Sequence, residues 1–378
     1  MSVNEYMIRA AELALRGKGC TRTNPCVGAV VARDGEVIAE GWHAAYGAPH
    51  AEVEAIANAG NRAKNADLYV TLEPCTTYGK TPPCVNAIAN SGIKRVFIGT
   101  LDPNPKHTGN AVKFFTERGI EVNYGVEAKL CALLIEDFTK FTTTGLPYVT
   151  VKIAQSLDGK IAAASGENRW ITGAETRKTV HKLRKESDAV LVGIGTVLAD
   201  DPELTVRGVS SDRQPARIVL DGNCRIPLDS KLVIGTKDGI AEMIIFTTES
   251  ASVEKVSILR DYGIKVIVAG SRITIQRILT EAAALNIMNI LVEGGAKVFA
   301  SFLMERQADM LHIFMAPILI GGGSSKNSID DLGGLLLKDA YRVTQTRYST
   351  IGEDLWLRGK VNDYTEKALS LTFRGGLG

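Results

Sequence analysis

The chain has 378 residues, 45% of them hydrophobic, with 44 basic against 42 acidic side chains. That length is more than one core ordinarily organises, so two domains and two sites are expected. A net charge of +2 supplies no field for a nucleic-acid partner, and no apolar run is long enough to argue for a membrane span.

Residues 1–18 read as an amphipathic helix, with Ser2 and Glu5 in capping-box spacing and Gly17 and Gly19 at its end. Strand-like runs at 27–32 and 37–42 flank Asp34-Gly35, a hairpin signal. A helix over 52–59, a strand over 68–72, a helix after Cys84 that stops at Gly92, and a strand over 95–100 continue an α/β layer pattern. A helix at 111–118, a strand at 121–124 and a helix over 127–141 complete the unit. Residues 142–147, polar and ending in Gly and Pro, read as the linker.

The second unit alternates again. Strands are expected at 149–154, 189–192, 217–220, 243–246, 265–269, 289–292 and 310–319, with helices at 174–185, 275–285 and 297–306. Such alternation predicts a mostly parallel sheet. The resulting division is a first domain over 1–145, a second over 146–369, and a glycine-rich tail over 370–378 that reads as frayed or as an expression remnant.

The chemistry concentrates in His50, Glu52, Cys75 and Cys84. Zinc takes imidazole and thiolate in a tetrahedral site, and a catalytic site leaves its fourth position to water. His50, Cys75 and Cys84 supply three ligands, and Glu52 is placed to carry protons for hydrolytic deamination. Zinc deaminases usually keep two residues between their cysteines, whereas residues 76–83 intervene here. The longer loop can still return both thiolates to one metal. Pro82 and Pro83 suit a first helical turn, and the helix dipole favours a thiolate at Cys84.

Asn24, His43 and Lys80 are the candidates for selecting the substrate at this site. Asn24 offers both a donor and an acceptor, although a turn role beside Pro25 fits it equally. Lys80 suits a phosphate or ring oxygen, or solvent alone. His43 is not a fourth ligand, since that would close the site. Cys20 and Cys26 lack a partnering histidine and glutamate. Six cysteines in so long a chain argue against a disulfide framework and for a reducing cytoplasm. A nucleic-acid deaminase would share the metal chemistry but predicts a basic surface, and a purely structural zinc module would supply four protein ligands.

In the second unit no Gly-x-Gly-x-x-Gly sits at a strand-helix junction, which argues against a Rossmann domain. Dinucleotide phosphates are expected instead at Gly294 and Gly295, ahead of the helix over 297–306. A plain strand-helix turn explains that pair as well.

Several runs carry a resemblance. His50-Ala51-Glu52-Val53, Thr71-Leu72-Glu73-Pro74-Cys75, Gly79-Lys80-Thr81-Pro82-Pro83-Cys84 and Asp102-Pro103-Asn104-Pro105 resemble the deaminase half of the bifunctional riboflavin biosynthesis deaminase-reductase family. The long cysteine spacing is that family's pattern. The run from Lys152 to Lys160, Ser165-Gly166-Glu167 with Trp170-Ile171-Thr172, the run from Thr196 to Pro202, and Leu204-Thr205-Val206-Arg207 resemble its reductase half.

The resemblance covers nearly the whole chain. It implies a cytidine-deaminase-like first domain and a dihydrofolate-reductase-like second one. It also implies zinc-dependent removal of an amino group from a diaminopyrimidinone ribosylamine phosphate, then NADPH-dependent reduction of the ribosyl side chain to ribityl. A homo-oligomer, dimer or tetramer, acting on small molecules is implied too. By the same resemblance Ala154, Trp170, Thr196, Asp200, Gly222, Glu293, Gly295, Ala296, Lys297, Val298, Phe299, Ala300 and Ser301 line the NADP site. Asn168, Arg184, Leu204 and Arg207 hold the reductase substrate, arginine suiting the phosphate through its planar fork. Asn168 stands where the family often has serine, as does Gly222 beside Asp221.

Overall fold

Near-continuous apolar runs mark the strands of the first half, the pattern of a sheet buried on both faces. A computed structural model of the protein describes residues 1–79, 81–167 and 170–374. The chain forms two units, Met1–Leu146 with the residues from Asp363 onward, and Pro147–Asn362.

The first unit holds helix α1 (Val3–Ala14), strands β1 (Gly28–Arg33) and β2 (Glu36–Trp42), α2 (Ala51–Ala59), β3 (Asp67–Leu72), α3 (Cys84–Asn90), β4 (Arg95–Thr100), α4 (Asn110–Thr116), β5 (Glu121–Tyr124), α5 (Ala128–Leu134) and α6 (Glu136–Thr144). Its sheet runs β2-β1-β3-β4-β5, with β1 antiparallel to both neighbours and the remaining pairs parallel. The hairpin turns on Asp34 (φ 54°) and Gly35 (φ 86°), the two positive values that its right-handed twist requires. Alternate residues divide between two cores. Ala29, Val31, Leu68, Val70, Val96 and Ile98 pack with α2 and α3, while Val30, Ala32, Tyr69 and Phe97 pack with α1. The capping box of Ser2 and Glu5 is formed.

Two expectations change here. The single helix over 127–141 is two helices, broken at Ile135 (φ −118°, ψ 23°). Helix α5 buries Ala128, Cys131 and Ala132, whereas α6 buries Glu136, Thr139 and Lys140. One stripe on a straight helix cannot serve an apolar and a polar partner lying in different directions.

The polar partner is the second change. Residues 370–374 are not a frayed tail but the end of a helix, Thr365–Arg374, that packs on β4, α5 and α6, so the second unit ends before residue 369. Ala368 and Thr372 are fully buried. Thr365 Oγ1 donates to Glu136 Oε1 (2.7 Å), and Thr372 Oγ1 meets Thr100 Oγ1 (2.8 Å) and accepts from the Leu101 N–H (3.1 Å). The glycines ending the chain dominated the sequence reading, and the apolar spacing before them was the missed signal. Deleting Thr365 onward should lower the unfolding free energy of the first unit by roughly 2–4 kcal/mol, because it strips buried hydrogen bonds from Leu101 and Glu136. Denaturant titration with a probe in that unit measures this, and an unchanged midpoint would contradict it.

The second unit contains β6 (Tyr148–Ser156), β7 (Lys160–Ala162), α7 (Ala174–Glu186), β8 (Ala189–Gly193), α8 (Ile194–Asp200), β9 (Ala216–Leu220), α9 (Lys231–Lys237), β10 (Met243–Thr247), α10 (Val253–Asp261), β11 (Lys265–Val268), α11 (Ile275–Ala284), β12 (Asn289–Gly294), α12 (Ala296–Met304), β13 (Met310–Ala316), β14 (Lys326–Asn327), β15 (Thr344–Ile351) and β16 (Asp354–Lys360). The large sheet runs β11-β10-β9-β8-β12-β6-β13-β16-β15, parallel from β11 to β13. The β15–β16 hairpin, antiparallel to β13, was not anticipated. Its signal was the β-rich run to Ile351 ahead of Gly352. Strand β13 ends at Ala316 rather than 319, because Pro317 cannot donate to the ladder. Strand β12 returns between β6 and β8, so the connections diverge there, where open α/β sheets bind ligands at their carboxyl ends. Among the described residues no helix is long and apolar enough to cross a membrane.

Candidate functional site

Three element ends deliver the candidate metal donors of the first unit. His50 is the N-cap of α2, Cys75 follows β3, and Cys84 opens α3. Gly41 of β2 lets α2 approach: a Cβ there would lie 2.5 Å from the Ala51 carbonyl oxygen and the Ala55 nitrogen. Glu54 Oε2 then accepts from the Trp42 N–H (3.0 Å), fixing the helix start against the strand end.

His50 Nδ1 stands 3.1 Å from Cys84 Sγ and 3.6 Å from Cys75 Sγ, and the sulfurs are 3.5 Å apart. Tetrahedral zinc with ordinary Zn–S and Zn–N bonds separates its ligand atoms by about 3.5–3.8 Å. The triangle therefore fits zinc with little adjustment, and no fourth protein donor joins it among the described residues. The Cys84 backbone N–H also reaches Cys75 Sγ (3.3 Å).

Glu52 lines the same cavity, of about 220 Å³, and is only 3% exposed. Burial pushes its carboxyl up to about 7, which suits proton transfer at neutral pH. His43 Nδ1–H donates to the Pro49 carbonyl (3.1 Å), which leaves Nε2 to accept from Asn24 Nδ2 (3.1 Å). Burial lowers the His43 pKa and keeps the ring neutral. The Asn24 amide is thus oriented at the cavity wall, and His43 also braces His50 edge-on at 5.2 Å. Lys80 lies outside the described residues.

The sequence reading assigned no role to Glu73, Asp102, His107 or Phe138, yet all four line this cavity. The Glu73 carboxylate accepts from the backbone N–H groups of Asp102 (3.0 Å), Gly109 (3.0 Å) and Ala111 (2.9 Å). It pins the loop that brings Asp102 and His107 to the cavity. Asp102 Oδ1 accepts from the Asn104 N–H (2.8 Å), and burial raises its carboxyl pKa. The Asp102-Pro103-Asn104-Pro105 run was visible, but its backbone partner was not.

In the second unit the expected residues divide. Glu293, at the end of β12, holds Arg184 through both oxygens (2.5 and 3.0 Å) and lies 3.6 Å from Lys152 Nζ on β6. The three side chains are at most 13% exposed. Burial pushes the Glu293 carboxyl up, but Arg184 and Lys152 outweigh it and hold it at about 2. Lys152, which the sequence reading gave no role, is the same network's third member. Thr196 meets the β12–α12 turn: a Cβ on Gly294 or Gly295 would come within 3.1 or 3.4 Å of its Oγ1. The Gly294–Gly295 peptide is cis, and no side chain caps α12 at Gly295. Unsubstituted backbone beside an uncapped helix start fits a dinucleotide phosphate.

The other expected residues are placed differently. Phe299, Ala300 and Leu204 turn their side chains into the core. Gly222 lies past β9, two strands from β12, with its carbonyl taken by Thr247 and Thr248. Arg207 pairs with Glu203 at the surface, and Trp170 lies under Arg177 at 4.5 Å. Asn168 lies outside the described residues.

Comparison with known proteins joins these two sites in one family. Residues 1–100 match the model of the cytidine and deoxycytidylate deaminase zinc-binding region, and residues 147–357 match that of the RibD C-terminal domain. The riboflavin biosynthesis protein RibD of Aquifex aeolicus is 45% identical over 350 residues, 93% of this chain and 96% of its own. The chain belongs to the RibD family. It is a bifunctional deaminase and reductase of riboflavin biosynthesis, with a zinc-binding deaminase domain and a reductase domain. RibD of Acinetobacter baumannii superposes with a TM-score of 0.85 at 35% identity, covering 94% of this chain and 98% of that one. A diaminohydroxyphosphoribosylaminopyrimidine deaminase/5-amino-6-(5-phosphoribosylamino)uracil reductase of Thermotoga maritima gives 0.81 at 37% identity, with the same coverage.

Proposed function

We propose that the first unit deaminates 2,5-diamino-6-(5-phosphoribosylamino)pyrimidin-4-one. The second unit then reduces the ribosyl side chain of that product with NADPH, giving 5-amino-6-(5-phosphoribitylamino)uracil. The observation that carries this reading is a buried Glu52, its carboxyl pushed up to about 7, in one cavity with His50 and Cys75 of the triangle that Cys84 completes. The name of the Thermotoga maritima relative supports the substrate assignment.

His50, Cys75 and Cys84 would hold the zinc, which would supply a water activated for nucleophilic attack at neutral pH. Glu52 accepts the proton of the attacking water and delivers it to the departing amine. Asn24, oriented by neutral His43, reads the heterocycle edge, and Lys80 serves the substrate through its phosphate or a ring oxygen. The acceptor at Asp102 suits the exocyclic amino groups.

NADPH supplies the hydride for the second step. Gly294, Gly295 and the first turn of α12, with Thr196, would cradle its phosphates, and Ala154, Trp170 and Asp200 would complete the cofactor wall. Asn168, Arg184, Leu204 and Arg207 hold the reductase substrate, the arginines suiting its phosphate, and Glu293 keeps the Arg184 fork in place.

Free cysteines throughout fit a reducing cytoplasm. Association of second units into a dimer or tetramer is supported by edge strand β15, exposed along nearly its whole length.

Arg207→Ala should slow NADPH oxidation on the deaminated intermediate by about 10–100-fold, the scale of one charge-assisted contact, and leave ammonia release unchanged. Parallel assays on the purified chain, with NADH as the comparison cofactor, measure this. Equal losses in both assays would contradict two separate sites.

A further inference from the structure

The second residue of strand β9 is an arginine that the reductase chemistry does not use. Arg217 is 1% exposed, and no carboxylate among the described residues pairs with it. Its Nη2 donates to Thr236 Oγ1 (2.8 Å) and the Ala241 carbonyl (2.6 Å), while Nε is buried without a partner. Burial pulls its pKa down only to about 10, so at neutral pH it is a buried cation with no counter-ion. Such a group is costly unless something compensates it.

The same side chain lines a cavity of about 240 Å³ together with Arg207, Lys231, Gln214 and Glu203. Glu203 is the one carboxylate of that lining, and Arg207 already occupies it. Lys231 Nζ lies 3.8 Å from Asp201, a loose and half-exposed pairing. Gly235 opens the far wall: a Cβ there would stand 3.0 Å from Arg217 Nη1. Glycine inside a helix is unfavourable by its backbone entropy, and at this place its bare Cα leaves the guanidinium room.

We propose that this cavity binds a small oxyanion of the phosphate class, held between Arg217 and Lys231 with Arg207 at the rim. A buried guanidinium with an unused Nε–H and an ammonium in the same lining are the groups such an anion needs. Arg207 is shared with the residues assigned to the ribosyl substrate, whereas Arg217, Lys231 and Gly235 are not among them, and neither Arg184 nor Leu204 lines the cavity.

Calorimetric titration of the full chain with inorganic phosphate, at ionic strength matched with chloride, tests the proposal. Saturable binding is expected, weakened about tenfold by Lys231→Ala and lost in Gly235→Val, whose side chain fills the cavity. Lys231 is half exposed, so its alanine variant keeps the test valid if Gly235→Val does not fold. Ribose 5-phosphate serves as a second probe. If Lys231→Ala weakens phosphate alone, the site takes the free ion; if it weakens both ligands, the site takes phosphomonoesters. No saturable binding, or equal phosphate affinity in wild type and Lys231→Ala, overturns the proposal.

Discussion

Glu52→Gln should reduce ammonia release by about 10³-fold or more, within the range for removing a positioned acid–base group, while zinc content stays stoichiometric. The amide has the shape of the carboxyl but cannot accept and return a proton. Glu52 is buried beside the metal triangle without belonging to it, so the donor set is untouched. Burial already pushes its carboxyl toward the neutral form, hence the variant should melt no lower than the parent. Metal analysis alongside an ammonia assay decides the matter. Loss of zinc would make Glu52 a ligand, and retained turnover would remove it from the chemistry.

Glu293→Ala should destabilise the second unit by roughly 3–5 kcal/mol, the cost of leaving buried charges without their partner. Arg184 and Lys152 would then face each other with no anion between them. Glu293→Gln should cost less, since its amide oxygen still accepts from Arg184. The sign of the pH dependence follows from the depressed carboxyl: its folded value near 2 lies below the ordinary 4.5. Its stabilisation is therefore complete above about 4.5 and is lost as pH falls toward 2. Denaturant titration of both variants across that window measures the effect. A change below about 1 kcal/mol for the alanine variant at neutral pH would show that the network is not held as described.

Legibility in the sequence followed the separation of the interacting groups. His50 and Glu52 share the start of one helix, and the turn at Asp34-Gly35 depends on two adjacent residues, so spacing and turn chemistry alone reveal them. Helices α8, α9 and α10 were missed because each is short and mixes small, branched and charged residues, leaving tertiary burial to decide its conformation. The β15–β16 hairpin was missed because almost all of β15 is exposed, leaving no apolar alternation to mark its inner face.

By itself the sequence picked out the cluster of His50, Cys75 and Cys84 with Glu52 beside it, the two-part α/β organisation and the family. Each of these rests on residue types at short, countable spacings. Tertiary structure decided what surrounds them. Glu73 reaches Gly109 across 36 positions, Arg184 meets Glu293 across 109, and Thr100 meets Thr372 across 272. Such pairings depend on which strands become neighbours and which helix covers them. The physical reason is that a buried polar group takes whichever partner the packed chain brings within reach. No local pattern along the chain encodes that partner.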